Sequence, residues 1–165
     1  FENKRYRHFD LATKFLMVEH EDRVVDTKKT RLDDFVQHFS DSPREKMPSF
    51  LKKAQDNITR MASIFGDRDA LLRQVGMVML YYHLFRVAHV HGWTADITRK
   101  KLLAFEKRRS ENRQMMELGE TGKVNLDLIE FDRLAQSPND GGAIRFRLRL
   151  MLKEVLGCGI ADDEL

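Results

Sequence analysis

Apolar residues along this chain recur mostly every three or four positions, the spacing of one helix face, and seldom alternate as in a half-buried strand. Phe9, Ala12, Phe15 and Leu16 form one such stripe and predict a first helix over residues 8–18, followed by a polar loop over 19–29. Leu32, Phe35, Val36 and Phe39 repeat at the same spacing behind Thr30, a capping residue type. Asp33 and Asp34 then fall in the predicted first turn, where negative charge suits the helix dipole. Pro43 suits the first position of a third helix, which carries Phe50, Leu51, Ala54, Ile58, Met61, Ala62 and Phe65 and stops at Gly66.

The segment 69–91 differs in kind. Leu71, Leu72, Val75, Met77, Val78, Met79, Leu80, Tyr81, Tyr82, Leu84 and Phe85 leave it almost no polar face, which predicts a buried central helix starting at Asp67 or Asp69 and ending before Gly92. Gly76, lacking a Cβ, marks a close helix–helix approach inside it. Thr94 or Asp96 caps a fifth helix to residue 118, with Ile97, Leu102, Phe105 and Met115/Met116 inward, and Asn125 caps a sixth over 126–136. After the turn cluster at 137–142, residues 143–156 fit two periods. Ile144, Phe146, Leu148 and Leu150 alternate, whereas Ile144, Leu148, Met151, Leu152 and Val155 follow a helix stripe. Only 124–129 alternates comparably as a partner strand, so helix is favoured. The expected fold is all-α: a single-domain bundle of six or seven helices around the central apolar one, with 157–165 an acidic tail.

Composition narrows the function classes. With 42% apolar and 33% charged residues, the chain resembles neither a disordered nor a membrane protein. Its longest uncharged stretch, 74–85, is well short of the roughly 20 residues that span a bilayer. No apolar h-region opens it, and one cysteine, Cys158, allows neither an internal disulfide nor a cysteine zinc cage, so a cytoplasmic location is expected. Lys+Arg exceed Asp+Glu by only 29 − 26 = 3, but residues 99–113 hold seven of the cations against Glu106 and Glu111.

Candidate chemistry is sparse. His83, His89 and His91 stand six and two positions apart, whereas helical metal ligands share a face at three or four, so no metal site is expected and no cofactor. Walker loops, dinucleotide turns, nucleophile elbows and His-Glu-x-x-His are absent from the sequence, and Cys158 sits between two glycines without a base in reach. Arg86 and His91 match the Arg-x4-His spacing of the HEPN class of helical ribonucleases. That resemblance implies an Arg and a His of paired protomers meeting at a dimer interface to activate a ribose hydroxyl and stabilise the phosphorane. Val87 departs from the polar residue the class favours after its Arg. Tyr6 and Trp93 are candidate base-stacking groups, with Arg5 and Arg7 facing phosphate.

A broader resemblance begins in "RYRHFDLATKFLMV", residues 5–18. It looks like the segment that follows the N-terminal ParB/sulfiredoxin-like domain in proteins related to the GmrSD type IV restriction enzymes. Arg5, Arg7, Asp10, Leu11, Lys14 and Phe15 fall in register with that segment's Arg, Lys, Glu, Leu, Arg and Phe, while His8 replaces its Asp. "TRLDDFVQHF", "NITRMASIFGDRDAL" and "SPNDGGAIRFRLRLM" are similar to later parts of the family. The family's nucleotide-binding and nuclease residues, an Asp-Gly-Gln-Gln-Arg-like motif, belong to the N-terminal domain and are absent from this sequence.

The resemblance implies a non-catalytic helical fragment of a larger defence protein, docked through Arg5, Arg7 and Asp10 on a ParB-like NTPase/nuclease domain of the same protein. Lys100, Lys101, Arg108 and Arg109, then Arg145, Arg147 and Arg149, are the expected DNA contacts, acting on phosphate without reading sequence. The rival expectations are a HEPN-like ribonuclease using Arg86 and His91, and a protein–protein interaction scaffold centred on the fourth helix.

Overall fold

Twelve consecutive buried residues, from Met77 to Ala88, form the axis of the molecule in a computed structural model that describes residues 7–40, 48–161 and 164–165. They belong to α4 (Val75–Val90), which packs against α1 (Arg7–Glu21), α3 (Pro48–Ala62) and α7 (Gly141–Met151). α5 (Arg99–Glu117) and α6 (Leu126–Leu134) pack against each other, α6 leans on α7, and α2 (Lys29–Ser40) lies outside α1. The described residues are all-α, with no strand among them.

The main core joins Leu11, Phe15 and Val18 of α1 to Tyr81, Tyr82, Leu84 and Phe85 of α4, with Leu102, Phe105, Phe131 and Leu148 from the later helices. Full burial of each large apolar side chain contributes about 1.5–3 kcal/mol, so this one helix, apolar in its buried run except for His83 and Arg86, organises the whole arrangement. Phe15 stacks on Tyr82 with ring centroids 3.9 Å apart. A satellite cluster of Met17, Val25, Leu32 and half-buried Phe35 seats α2.

Several local expectations shift. The buried stripe of α1 is Leu11, Phe15 and Val18, leaving Phe9 62% exposed and Ala12 exposed. α2 starts at Lys29, one residue before Thr30, so Asp33 lies beyond the first turn and pairs with Lys29. Pro43 lies outside the described residues. Asp69 does not start α4. Its carboxylate accepts the N–H groups of Gly66 at 3.1 Å and Leu71 at 3.0 Å, capping a single 3-10 turn, Ala70–Leu72, and Gln74 is extended before the helix begins. Likewise Thr94–Asp96 is a separate 3-10 turn. Ile97 is extended and buried, and this break leaves Thr98 to cap α5 through its bond from the Lys101 N–H.

Residues 141–151 are helical, capped by Asp140, and continue into a π-helical turn at Leu152–Leu156 that ends on Gly157 with φ +72°. The buried set Ile144, Arg147, Leu148 and Met151 follows the helical period, because a helix can bury this segment against α4 and α6 without a partner strand. Gly76 does mark a close approach, but to the turn after α6: a Cβ there would stand 3.0 Å from Pro138 Cβ. At the end of the chain Leu165 is buried, and its carbonyl accepts the Val24 N–H at 2.5 Å.

Candidate functional site

Three helices each turn one polar stripe toward a common cavity of about 180 Å³. Glu19 and Asp22 come from the end of α1, Lys53, Asp56, Asn57 and Arg60 from successive turns of α3, and Arg86 and His89 from the end of α4. The i, i+3 and i+4 spacings within each group are those that share a helix face. Glu19 is buried and accepts the Tyr82 hydroxyl at 2.6 Å, while Arg86 Nε lies 3.5 Å from its other oxygen. Arg86 Nη2 donates to Asp22 at 2.6 Å, and Asn57 donates to the Tyr82 carbonyl at 2.9 Å.

Burial, then the bond to Glu19, raises the Tyr82 hydroxyl far above its usual pKa, so it remains a donor. Burial opposes ionisation of Asp22, but the Arg86 hydrogen bond and the charges of Arg86 and Lys53 outweigh it and hold the carboxyl below its usual range. Asp22 sits at φ +53°, a left-handed conformation that ends α1.

Here α4 brings Arg86 together with His89, three residues on, and not with His91. Five positions rotate about 140° around a helix, so His91 leaves the Arg86 face and stacks on Trp93 at 4.5 Å. His89 meets Arg60 at 2.9 Å. The Arg86 guanidinium lies within ion-pair reach of two carboxylates, Glu19 and Asp22. His83 is fully buried, and burial followed by the Arg86 charge pushes it down to a pKa of about 3, which keeps it neutral. No group of three His, Cys, Asp or Glu placed to hold a metal occurs among the described residues.

The predicted nucleic-acid residues divide by helix face. Lys100 and Lys101 are exposed at the first turn of α5 and have no ion-pair partner among the described residues. Arg108 is exposed but donates to the Glu154 carbonyl at 2.9 Å and pairs with its carboxylate at 3.1 Å. Arg145 and Arg149 are half-buried, and Arg145 donates to the Val24 carbonyl at 3.3 Å. Arg109 and Arg147 are corrections: they are 7% and 2% exposed and do not reach a phosphate surface.

The reason is helical period. Arg109 shares the inward face of Leu102, Phe105 and Asn112, and Arg147 that of Ile144, Leu148 and Met151. Arg109 is bound by both Glu106 oxygens at 2.7 Å and by Asp132, and lies 4.4 Å from the Phe131 ring centroid. Arg147 lies 4.7 Å from the same centroid.

Of the predicted docking residues, Arg7 is exposed beside Phe9, Asp10 pairs with Lys14 at 2.8 Å, and Arg5 lies outside the described residues. Two arginines to which the sequence reading gave no binding role, Arg23 and Arg31, share a second cavity with Arg145. No local spacing announces them, because more than a hundred residues separate them from Arg145.

Compared with protein-family models, curated proteins and solved structures, the chain matches none. No helix among the described residues is long and apolar enough to cross a membrane.

Proposed function

We propose that this chain is a non-catalytic helical module of a cytoplasmic ParB-like NTPase/nuclease defence protein, docking on that protein's catalytic domain and contacting DNA through phosphate. The observation that carries the DNA part is the first turn of α5, where exposed Lys100 and Lys101 lack ion-pair partners among the described residues. Cations at the positive end of a helix dipole are unfavourable within the fold, and an external phosphate relieves both. Support for docking comes from exposed Phe9 beside Arg7 in the segment that resembles the family's junction with its N-terminal domain. An activity within this chain has less support, since Arg86 and His91 leave α4 on different faces and Arg86 is tied to Glu19 and Asp22.

The test is fluorescence anisotropy with a labelled DNA duplex over a range of salt concentrations. Binding at low salt is expected, with affinity falling as salt rises. Lys100→Glu/Lys101→Glu should weaken it on every sequence alike and flatten the log–log salt dependence by up to about 2, at about 0.9 per lost phosphate contact. Absence of binding at low salt, or affinity indifferent to salt, would refute the DNA reading.

A further inference from the structure

We infer that Arg23, Arg31 and Arg145 form a discrete binding site for a phosphoryl group, separate from the α5 surface. The three side chains line a cavity of about 530 Å³, with Val24, Val25, Asp26, Gly141 and Leu165 as its other walls. They arrive from three elements: Arg23 from the α1–α2 loop, Arg31 from the start of α2, and Arg145 from the early turns of α7.

The cleft is held in shape by contacts across more than a hundred residues of chain. Asp26 Oδ1 accepts the Gly141 N–H at 2.5 Å, the Thr27 N–H donates to the Asn139 carbonyl at 2.9 Å, and Lys28 bridges Asp140 at 2.9 Å. Gly141 admits this approach because a Cβ would meet the Asp26 backbone nitrogen at 3.2 Å. Arg145 is oriented by its bond to the Val24 carbonyl.

Among the described residues, three arginines line the cleft against one carboxylate. Arg23 and Arg31 share one carboxylate, Glu21, at 3.7 and 3.5 Å, both beyond good hydrogen-bond length. Asp26, the only acidic side chain lining the cavity among the described residues, is already engaged by the Gly141 N–H and by Lys28. Among the described residues the three guanidinium groups have only these contacts with Glu21 and the Val24 carbonyl bond, which leaves most of their donors unused. Arginine forks match the tetrahedral oxygens of phosphate in pairs, and three forks suit a doubly charged phosphoryl group better than a single carboxylate.

Two-dimensional ¹H–¹⁵N spectra of the whole chain test this with three probes at matched ionic strength. They are inorganic phosphate, a 5′-phosphorylated dinucleotide, and the same dinucleotide without the terminal phosphate, with chloride as reference. Saturable shifts of the Val24, Val25 and Gly141 amides and of the arginine Nε–H signals are expected with phosphate and not with chloride. Arg31→Ala should weaken binding about ten-fold or more. Arg145→Lys, which keeps the charge and the fold, should also weaken it because the paired donor geometry is lost, while Arg133→Ala on α6 should change nothing.

Response to inorganic phosphate and the phosphorylated dinucleotide alone assigns the site to phosphomonoesters. Response to both dinucleotides assigns it to nucleic-acid backbone. Absence of saturable shifts with every probe, or equal shifts with chloride, overturns the inference. Such a failure leaves the α5 reading standing, since that is measured on duplex DNA with the Lys100 and Lys101 variants.

Discussion

Replacing Arg147 with methionine should stabilise the fold, and replacing Arg109 with methionine should destabilise it, although both guanidinium groups lie over the Phe131 ring. Arg147 has no carboxylate in ion-pair range among the described residues, its Nε is buried without a partner, and Nη2 touches only Met77 Sδ, at 3.2 Å. Burial, then the neighbouring Arg109 charge, pushes its pKa from 12.5 down to about 10. A base whose folded pKa lies below its unfolded value opposes folding at any pH below both. That opposition fades only as pH climbs from the folded value past the unfolded one, so it is fully present at neutral pH.

At about 1.36 kcal/mol per pKa unit, the drop corresponds to about 3 kcal/mol. Methionine removes this cost, keeps an apolar stem and a sulfur against the ring, and forfeits a cation–π contact of about 1–2 kcal/mol. The expected net gain is about 1–2 kcal/mol, a rise in Tm of about 3–6 °C for a chain of this size. Arg109→Met instead leaves half-buried Glu106 with the Tyr81 hydroxyl at 3.4 Å and Asp132 with Arg113 at 2.8 Å, and should cost about 2–4 kcal/mol. Urea unfolding followed by circular dichroism, with calorimetry, reads both variants. A loss of more than about 1 kcal/mol in Arg147→Met would refute the desolvation argument.

Tyr82→Phe removes the 2.6 Å hydrogen bond to buried Glu19 and leaves that carboxylate, among the described residues, only Arg86 Nε at 3.5 Å. A loss of about 1.5–3 kcal/mol is expected, read as a lower urea midpoint with an unchanged m-value. At Asp69 the Arg99 hydrogen bond, opposed by burial and joined by the N–H groups of Leu71 and Gly66, holds the carboxyl below its usual pKa of 3.8. Its stabilisation is present above that value and is lost as pH falls through the lower folded pKa. Asp69→Asn should therefore flatten the acid limb of a plot of urea midpoint against pH, and a limb as steep as that of the unchanged chain would count against this pairing.

The all-α class and the central helix were legible because both rest on local periodicity and on a run of apolar residues too continuous to face water. The Asn125 cap of α6, which accepts the Asp127 and Leu128 N–H groups, and the glycine stop at Gly92 were legible for the same reason, each being a bond or a dihedral within a few residues. Where local signals competed, neighbours in space decided. Asp69 caps the 3-10 turn because its carboxylate also meets Arg99, thirty residues on, and Ile97 breaks into an extended conformation to reach the core.

Charged residues were the least legible. Lys100 and Arg109 stand on one basic segment, yet one is solvated and the other lies beneath Glu106, Asp132 and Phe131. The spacing of Arg109 from Leu102, Phe105 and Asn112 did point inward, but only partners on α5 and α6 make a buried cation tolerable. The Arg23, Arg31 and Arg145 cleft had no local signal at all. Its contacts, Asp26 to Gly141 and Thr27 to Asn139, span more than a hundred residues. Helix period and apolar content are properties of neighbouring residues, so the sequence by itself determined where helices form and which one is central. Which cations meet carboxylates, an aromatic face or open solvent depends on elements brought together by packing, and only the tertiary structure decided that.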